Sequence, residues 1–414
     1  YDMININKSG FDIQYLQKAI TSVIDSTKGQ KSENIFDGIF DDMDLNSTKL
    51  GRTVKDRSRL IAKSITSIGK ISFNHEDSEI DVLGEVYEYM IGQFAASAGK
   101  KSGSFYTPAM VGELMARITT IDRPDALNVY DACGGSGSLL LTLKKYTNVR
   151  NYYYQELTTA TYNLARMNFL LHDVSYQNIH MENDDSLENP KYLDVEQDII
   201  LSNPPYSQKW SSDKKFETDE RFSRYGVLPP KSKADYAFVL TMLHSLKQDG
   251  IMAIVLPHGV LFRGGREQTI RKILVEDNNI DTIIGLPKNI FYGTSSPTIV
   301  MILKKNKKTN DILFIDASRD FEEGRNRNFL REQDIDKIVE TYKNRKDVEK
   351  YAHVASFDEI KENDFNLNIP RYVDTFEEEE PVDIELVRTN LRKIDEEIEK
   401  IDKELAGYFD ELGI

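Results

Sequence analysis

The run Asp198-Ile199-Ile200-Leu201-Ser202 breaks off at Asn203-Pro204-Pro205-Tyr206, and no other stretch constrains the fold as much. A short apolar, β-branched segment reads as a buried strand. Two consecutive prolines remove backbone donors and stiffen the chain, so the strand stops at Asn203. In an open α/β sheet, ligands bind beyond the carboxyl ends of the strands. The turn offers an amide oxygen, a proline carbonyl and an aromatic ring at such an edge. Asn203 and Pro204 can accept the two N–H bonds of a planar amino group while Tyr206 stacks on its face. The same residues also suit a tight turn with a buried Asn and a core Tyr, so the surroundings must decide.

Those surroundings alternate strand and helix. A strand over 127–130 leads into Asp131-Ala132-Cys133-Gly134-Gly135-Ser136-Gly137-Ser138 and then a helix over 139–145. Strand, glycine loop and helix open a nucleotide-binding α/β domain. A dinucleotide fingerprint wants glycine where Leu140 stands, and the Gly-Lys-Ser/Thr of a phosphate loop is missing. The loop is therefore tuned for neither pyrophosphate nor triphosphate, and a purely structural Gly-x-Gly loop stays open as a reading. The next strand, 152–154, ends at Gln155-Glu156, where an acid can bind the two hydroxyls of a ribose. A third strand over 176–180 leads to Asn183-Asp184-Asp185-Ser186, which can contact an adenine amino group.

Upstream, Thr107 is a candidate N-cap and Pro108 the first residue of a helix reaching about 118. Phe105 and Tyr106 then lie beside a ligand or simply precede a capped helix. Residues 207–233 hold Lys209, Trp210, Lys214, Lys215, Arg221, Arg224, Lys231 and Lys233. That mix suits a nucleic-acid backbone or a solvated loop. Beyond it come a helix over 234–247, a strand over 251–256, a helix over 265–275 and strands over 280–286, 298–303 and 312–315. His258 fits a loop or capping role better than that of a base.

The two ends differ from this middle. Residues 1–98 read as helical: Leu16, Ile20 and Ile24 share one face, Leu60, Ile61, Ile65 and Ile68 another, and a further helix runs from Asp81 to about 98. After the acidic run Glu377–Glu380, the residues Ile384, Val387, Leu391, Ile394, Ile398, Ile401, Leu405, Tyr408 and Leu412 keep spacings of three and four. That is a coiled-coil seam, which needs a partner helix. The expected division is 1–98, 99–372 and 373–414.

Composition sets limits on partners. The 414 residues carry a formal net charge of -15, so either nucleic acid is not the partner or another subunit supplies much of the grip. A single cysteine, Cys133, excludes a disulfide framework and a cysteine zinc site, in keeping with a reducing, cytoplasmic setting. No apolar run reaches membrane-spanning length. The first residue is Tyr1, so the helical front is expected to be incomplete.

Taken together, the motifs resemble the modification subunits of bacterial type I restriction–modification systems, which are N6-adenine DNA methyltransferases. The resemblance rests on Gly84-x-x-Tyr87-Glu88-Tyr89, Ser104-Phe105-Tyr106-Thr107-Pro108 and Asp131-x-x-x-Gly135-Ser136-Gly137. Gln155-Glu156, Asn163-Leu164-Ala165-Arg166-Met167-Asn168 and Asp198-x-x-x-x-Asn203-Pro204-Pro205-Tyr206 carry it further. Leu256-Pro257-x-Gly259-x-Leu261-Phe262 and Asp364-Phe365-Asn366-Leu367-Asn368-Ile369-Pro370-Arg371-Tyr372 complete it. Ala132 and Ser138 stand where the family usually has Pro and Gly; both are small enough to keep the loop.

The resemblance implies a Rossmann-like S-adenosylmethionine-dependent sheet behind a helical domain and before a coiled-coil helix. It implies Asn203, Pro204, Pro205 and Tyr206 as catalytic residues. It implies cofactor contacts from Ser104, Phe105, Tyr106, Thr107, Pro108, Asp131, Gly135, Ser136, Gly137, Glu156 and Asp185, and no metal. Implied partners are DNA, a specificity subunit at the carboxyl-terminal helix, a second modification subunit and a restriction subunit. Alternatives are a protein glutamine N5-methyltransferase, which shares the Asn-Pro-Pro-Tyr turn, and a non-catalytic scaffold.

Overall fold

The computed structural model describes residues 11–70, 82–98, 106–291, 294–325, 327–375 and 384–412. Ser104, Phe105 and the acidic run at 377–380 lie outside them. Residues 1–374 form one compact unit and residues 375–414 a second.

Among the described residues eleven strands run in chain order: β1 (Asp125–Asp131), β2 (Asn148–Gln155), β3 (Ile179–Glu182), β4 (Gln197–Ser202), β5 (Leu246–Pro257), β6 (Ile280–Gly285), β7 (Thr298–Lys304), β8 (Ile312–Asp316), β9 (Glu322–Glu323), β10 (Asn328–Phe329) and β11 (Ala352–Ala355). Nine of them form one sheet in the order β11-β8-β6-β7-β5-β4-β1-β2-β3, and β9 pairs with β10. β1 is parallel to both β2 and β4, so the strand order reverses beside β1. β7 runs antiparallel between β5 and β6, and β11 closes the edge antiparallel to β8.

Side chains alternate across the sheet, as strand geometry requires. Val129, Ile199, Leu201, Ala253 and Val255 face the core under the helices Ala109–Thr119, Thr159–Leu171 and Glu332–Asn344. Tyr130, Ile200, Met252, Ile254 and Leu256 face the core under Asp235–Ser245 and Arg266–Glu276. β4 is buried at every position, which explains its continuous apolar run. At its amino end Asp198 accepts the Leu127 and Asn128 N–H groups, both at 2.9 Å, and ties β4 to β1 far from the prolines.

Several expectations shift. The third strand begins at Ile179; Tyr176–Asn178 is a 3-10 turn opened by the Ser175 hydroxyl. The helix predicted over 234–247 stops at Ser245 and β5 starts at once with Leu246, because Gln197 of β4 pairs with Leu246. The basic segment 207–233 is not a solvated loop. It folds over its own aromatic cluster of Trp210, Phe216 and Phe222, with ring centroids 5.4–5.9 Å apart. Arg221 is buried there, bidentate to Asp219 at 2.9 and 2.8 Å.

In the second unit a helix spans Ile384–Leu412. Its seam residues Leu391, Ile394, Ile398, Ile401, Leu405 and Tyr408 are exposed. Among the described residues no helix is long and apolar enough to cross a membrane, and no acidic or His/Cys cluster could hold a metal.

Candidate active site

The carboxyl ends of β1 and β4 meet where the strand order reverses, the usual ligand site of an open α/β sheet. At β1 the glycines are demanded by contact as well as by conformation. Gly135 and Gly137 have φ of 55° and 81°. A Cβ on Gly134 would lie 2.0 Å from the Tyr154 ring, and one on Gly137 2.7 Å from Phe169. Tyr154 also donates its hydroxyl to the Gly135 carbonyl at 2.6 Å. The loop is thus pressed against two buried rings that cannot swing aside. Gly134→Ala is expected to destabilise the fold by about 1–3 kcal/mol or more, measured by denaturant unfolding.

Asp131 closes β1. Its carboxylate accepts the Ser202 hydroxyl at 2.6 Å and the Cys133 N–H at 2.9 Å, linking β1 to the residue before Asn203. Burial pushes its pKa up to about 7, against the pull of those two bonds. Burial beside Asp131 and Glu156 pushes the Cys133 thiol well up, so no thiolate nucleophile stands here. At the end of β2, Glu156 accepts the Gly135 N–H at 3.1 Å and the Thr158 N–H at 2.9 Å. The Thr158 side chain and the Leu157 N–H also hydrogen-bond this carboxylate.

At β4 the proline turn holds Asn203 by both ends of its amide. The Tyr206 hydroxyl donates to Asn203 Oδ1 at 2.7 Å, and Asn203 Nδ2 donates to Thr107 Oγ1 at 3.1 Å. Burial keeps the Tyr206 phenol well above its ordinary pKa, so it stays a donor. Its ring meets the edge of Phe291 at 5.9 Å and 89°. The expected N-cap at Thr107 is not formed: the helix begins at Ala109 with Pro108 in the cap position, and the Thr107 hydroxyl serves Asn203 instead.

Tyr106, Thr107, Asp131, Cys133, Gly134, Gly135, Ser136, Leu139 and Asn203 together line a narrow cleft of about 10 Å³. Glu156 reaches it through Gly135. Asp185 accepts the Leu187 and Glu188 N–H groups at 2.8 and 3.2 Å and closes its own turn. That turn is fixed from below by buried Gln155, whose amide donates to the Asp184 and Asn189 carbonyls at 3.3 and 3.0 Å.

A supporting layer carries no motif chemistry of its own and is missed by reading residue types. Glu88 accepts the Ser138 hydroxyl and the Asn168 amide, both at 2.6 Å. Asn168 in turn donates to the Ser136 carbonyl at 2.9 Å. Ser138, the departure from the family glycine, is the residue that receives this bridge from the helix Val82–Ala98. The only sequence signal for it was the position of Glu88 and Asn168 inside two of the matched motifs. His258 begins a 3-10 turn, and burial lowers its pKa.

Comparison with known proteins agrees with this geometry. The sequence model described as N-6 DNA Methylase matches residues 78–381. The MpnII methylase subunit of a type I restriction enzyme of Mycoplasma pneumoniae is 39% identical over 381 residues, covering 88% of this chain and 70% of the relative. The MjaVII methylase subunit of Methanocaldococcus jannaschii is 34% identical, covering 86% and 67%. The crystal structure of a type I restriction-modification methyltransferase subunit from Streptococcus thermophilus superposes with a TM-score of 0.85 at 47% identity, covering 90% of this chain and 79% of that one. This chain belongs to the N-6 DNA methylase family, among the methylase subunits of type I restriction enzymes.

Proposed function

We propose that this chain transfers a methyl group from S-adenosylmethionine to N6 of an adenine in DNA, as the modification subunit of a type I restriction–modification complex. The observation that carries the reading is the Asn203 amide, clamped by Tyr206 and Thr107 beside the glycine loop. Family membership supports DNA over a protein glutamine as acceptor.

The residues present fit S-adenosylmethionine. Backbone at Gly135, Ser136 and Gly137 would approach its methionine part, since the glycines take the positive φ the loop needs and put no side chain in the way. Glu156, at the end of β2 and bonded to the glycine loop, would take the ribose hydroxyls. Asp185 would take the adenine amino group, and Tyr106 and Thr107 would share the pocket. The sulfonium supplies an already activated methyl group, so the protein's task is alignment for an in-line displacement.

The target adenine must leave the duplex to reach this edge. Asn203 Oδ1 and the Pro204 carbonyl accept its two N6 hydrogens. Those bonds localise a lone pair otherwise spread into the ring, and they strengthen as positive charge builds on nitrogen. Tyr206 supplies a face for the base. Target choice is left to a specificity subunit that engages the helix Ile384–Leu412.

The test of the cofactor half is Glu156→Gln. The change keeps the shape but removes the charge, and a hydrogen bond to a charged group is worth about 1.5–3 kcal/mol. Affinity for S-adenosylmethionine, expected to be micromolar and on the order of 8 kcal/mol, should fall at least tenfold by calorimetry. Unchanged affinity would remove Glu156 from the ribose site.

A further inference from the structure

We infer that Lys209, Lys231 and Lys233 form the surface that grips the DNA phosphate backbone beside the target base. The inference rests on the DNA-methylase reading above and names a contact surface that the reading leaves open.

The geometry starts at the catalytic turn. Ser207, one residue past Tyr206, has φ of 51° and donates its N–H to the buried Asp235 carboxylate at 2.7 Å. The exit direction of the chain is therefore fixed. Residues 208–210 then run beside 231–234: Trp210 N–H donates to the Lys231 carbonyl at 3.1 Å, and Ala234 N–H to the Gln208 carbonyl at 2.8 Å. This short ladder brings Lys209 alongside Lys231 and Lys233 at the neck of the folded segment, a few residues along the chain from Asn203. The Trp210 indole bonds the Pro230 carbonyl at 3.1 Å and locks the two legs together.

Of the other cations of the segment, Lys214 is exposed on the 3-10 turn Lys214–Thr218, outside this ladder, and three are committed elsewhere. Arg221 is buried on Asp219, Lys215 pairs with Glu188 at 3.0 Å, and Arg224 pairs with Asp277. Lys209 and Lys231 are exposed and Lys233 is half-buried. Lys233 lies within electrostatic reach of Glu267, which a closer Arg263 already holds. The carboxylates next to the neck, Asp235 and Glu267, are buried and already held by Arg263 at 3.0 and 2.8 Å. The neck is therefore net positive on a chain of net charge -15. A lysine ammonium on a flexible stem suits phosphate oxygens without reading sequence.

The experiment is duplex binding across a salt series, using the full chain co-expressed with the partner subunits of its system. The probe is a short duplex of arbitrary sequence. The log–log salt slope should fall by roughly 0.9 for each lysine replaced, so by about 2 to 3 in the triple Lys→Gln variant. Lys215→Gln and Arg224→Gln, the paired cations of the same segment, should leave the slope unchanged. Cofactor affinity should be that of the parent in all of them. A parent-like slope in the triple variant overturns the inference while leaving the methylase reading intact. A parent that shows no salt-dependent duplex binding overturns both. If the triple variant fails to fold, the single variants decide, each by the same loss of roughly 0.9 in slope or its absence.

Discussion

Asn203→Ala is expected to lower methyl transfer to DNA by roughly a hundredfold or more, with cofactor affinity unchanged. The expectation follows from where the amide stands. Its oxygen is the preorganised acceptor for an amino group, and its nitrogen is held by Thr107, so the side chain cannot present the wrong end. The two hydrogen bonds of the amide run to Tyr206 and Thr107, not to the Glu156 carboxylate or the glycine-loop backbone that would hold the cofactor. Single-turnover methylation with saturating cofactor measures the loss, and near-parental turnover would make the turn structural. Tyr206 refines the expectation. Its hydroxyl bonds Asn203 at 2.7 Å, so Tyr206→Phe should cost the roughly 0.5–1.5 kcal/mol of one neutral hydrogen bond, a several-fold loss. Tyr206→Ala, which also removes the stacking face, should lose most of the activity.

Placing Asp at both Ile394 and Ile401 should abolish co-purification with the specificity subunit, as should deleting residues 381–414. The helix Ile384–Leu412 belongs to a unit of its own, and Ile394 and Ile401 are 51% and 55% exposed. An apolar stripe of that length left in water is unfavourable, and burying each Ile or Leu contributes roughly 1.5–3 kcal/mol before the costs of association. Two buried aspartates would reverse that gain. The rest of the chain should keep its fold and its cofactor affinity, because residues 1–374 form a compact unit without the helix. Retention of the complex at parental affinity would show that docking occurs elsewhere.

The parts of this fold governed by local pattern were legible in the sequence. β4, the glycine loop and the helix seam each announce themselves through residues close in the chain. The parallel middle of the sheet follows from strand–helix alternation. What escaped was set by contacts between distant segments. Thr107 reads as an N-cap on its own, and only the approach of Asn203, ninety-six positions away, gives its hydroxyl another role. Glu88 and Ser138 look unremarkable until the helix Val82–Ala98 packs over the loop. The segment 207–233 reads as a basic loop because composition cannot show that Trp210, Phe216 and Phe222 collapse together, or that Arg221 is consumed by Asp219. Asp198, part of a matched motif, turns out to brace the amino end of β4 rather than the site.

The most direct test of the central claim is to sequence modified bases in DNA from cells carrying the complete system, with the parent chain and with Asn203→Ala. The account predicts N6-methyladenine at one recurrent sequence with the parent and its loss with the variant, although the variant still assembles and binds S-adenosylmethionine. A mark that persists in the variant, or methyl groups that arrive on protein or cytosine instead, would contradict it.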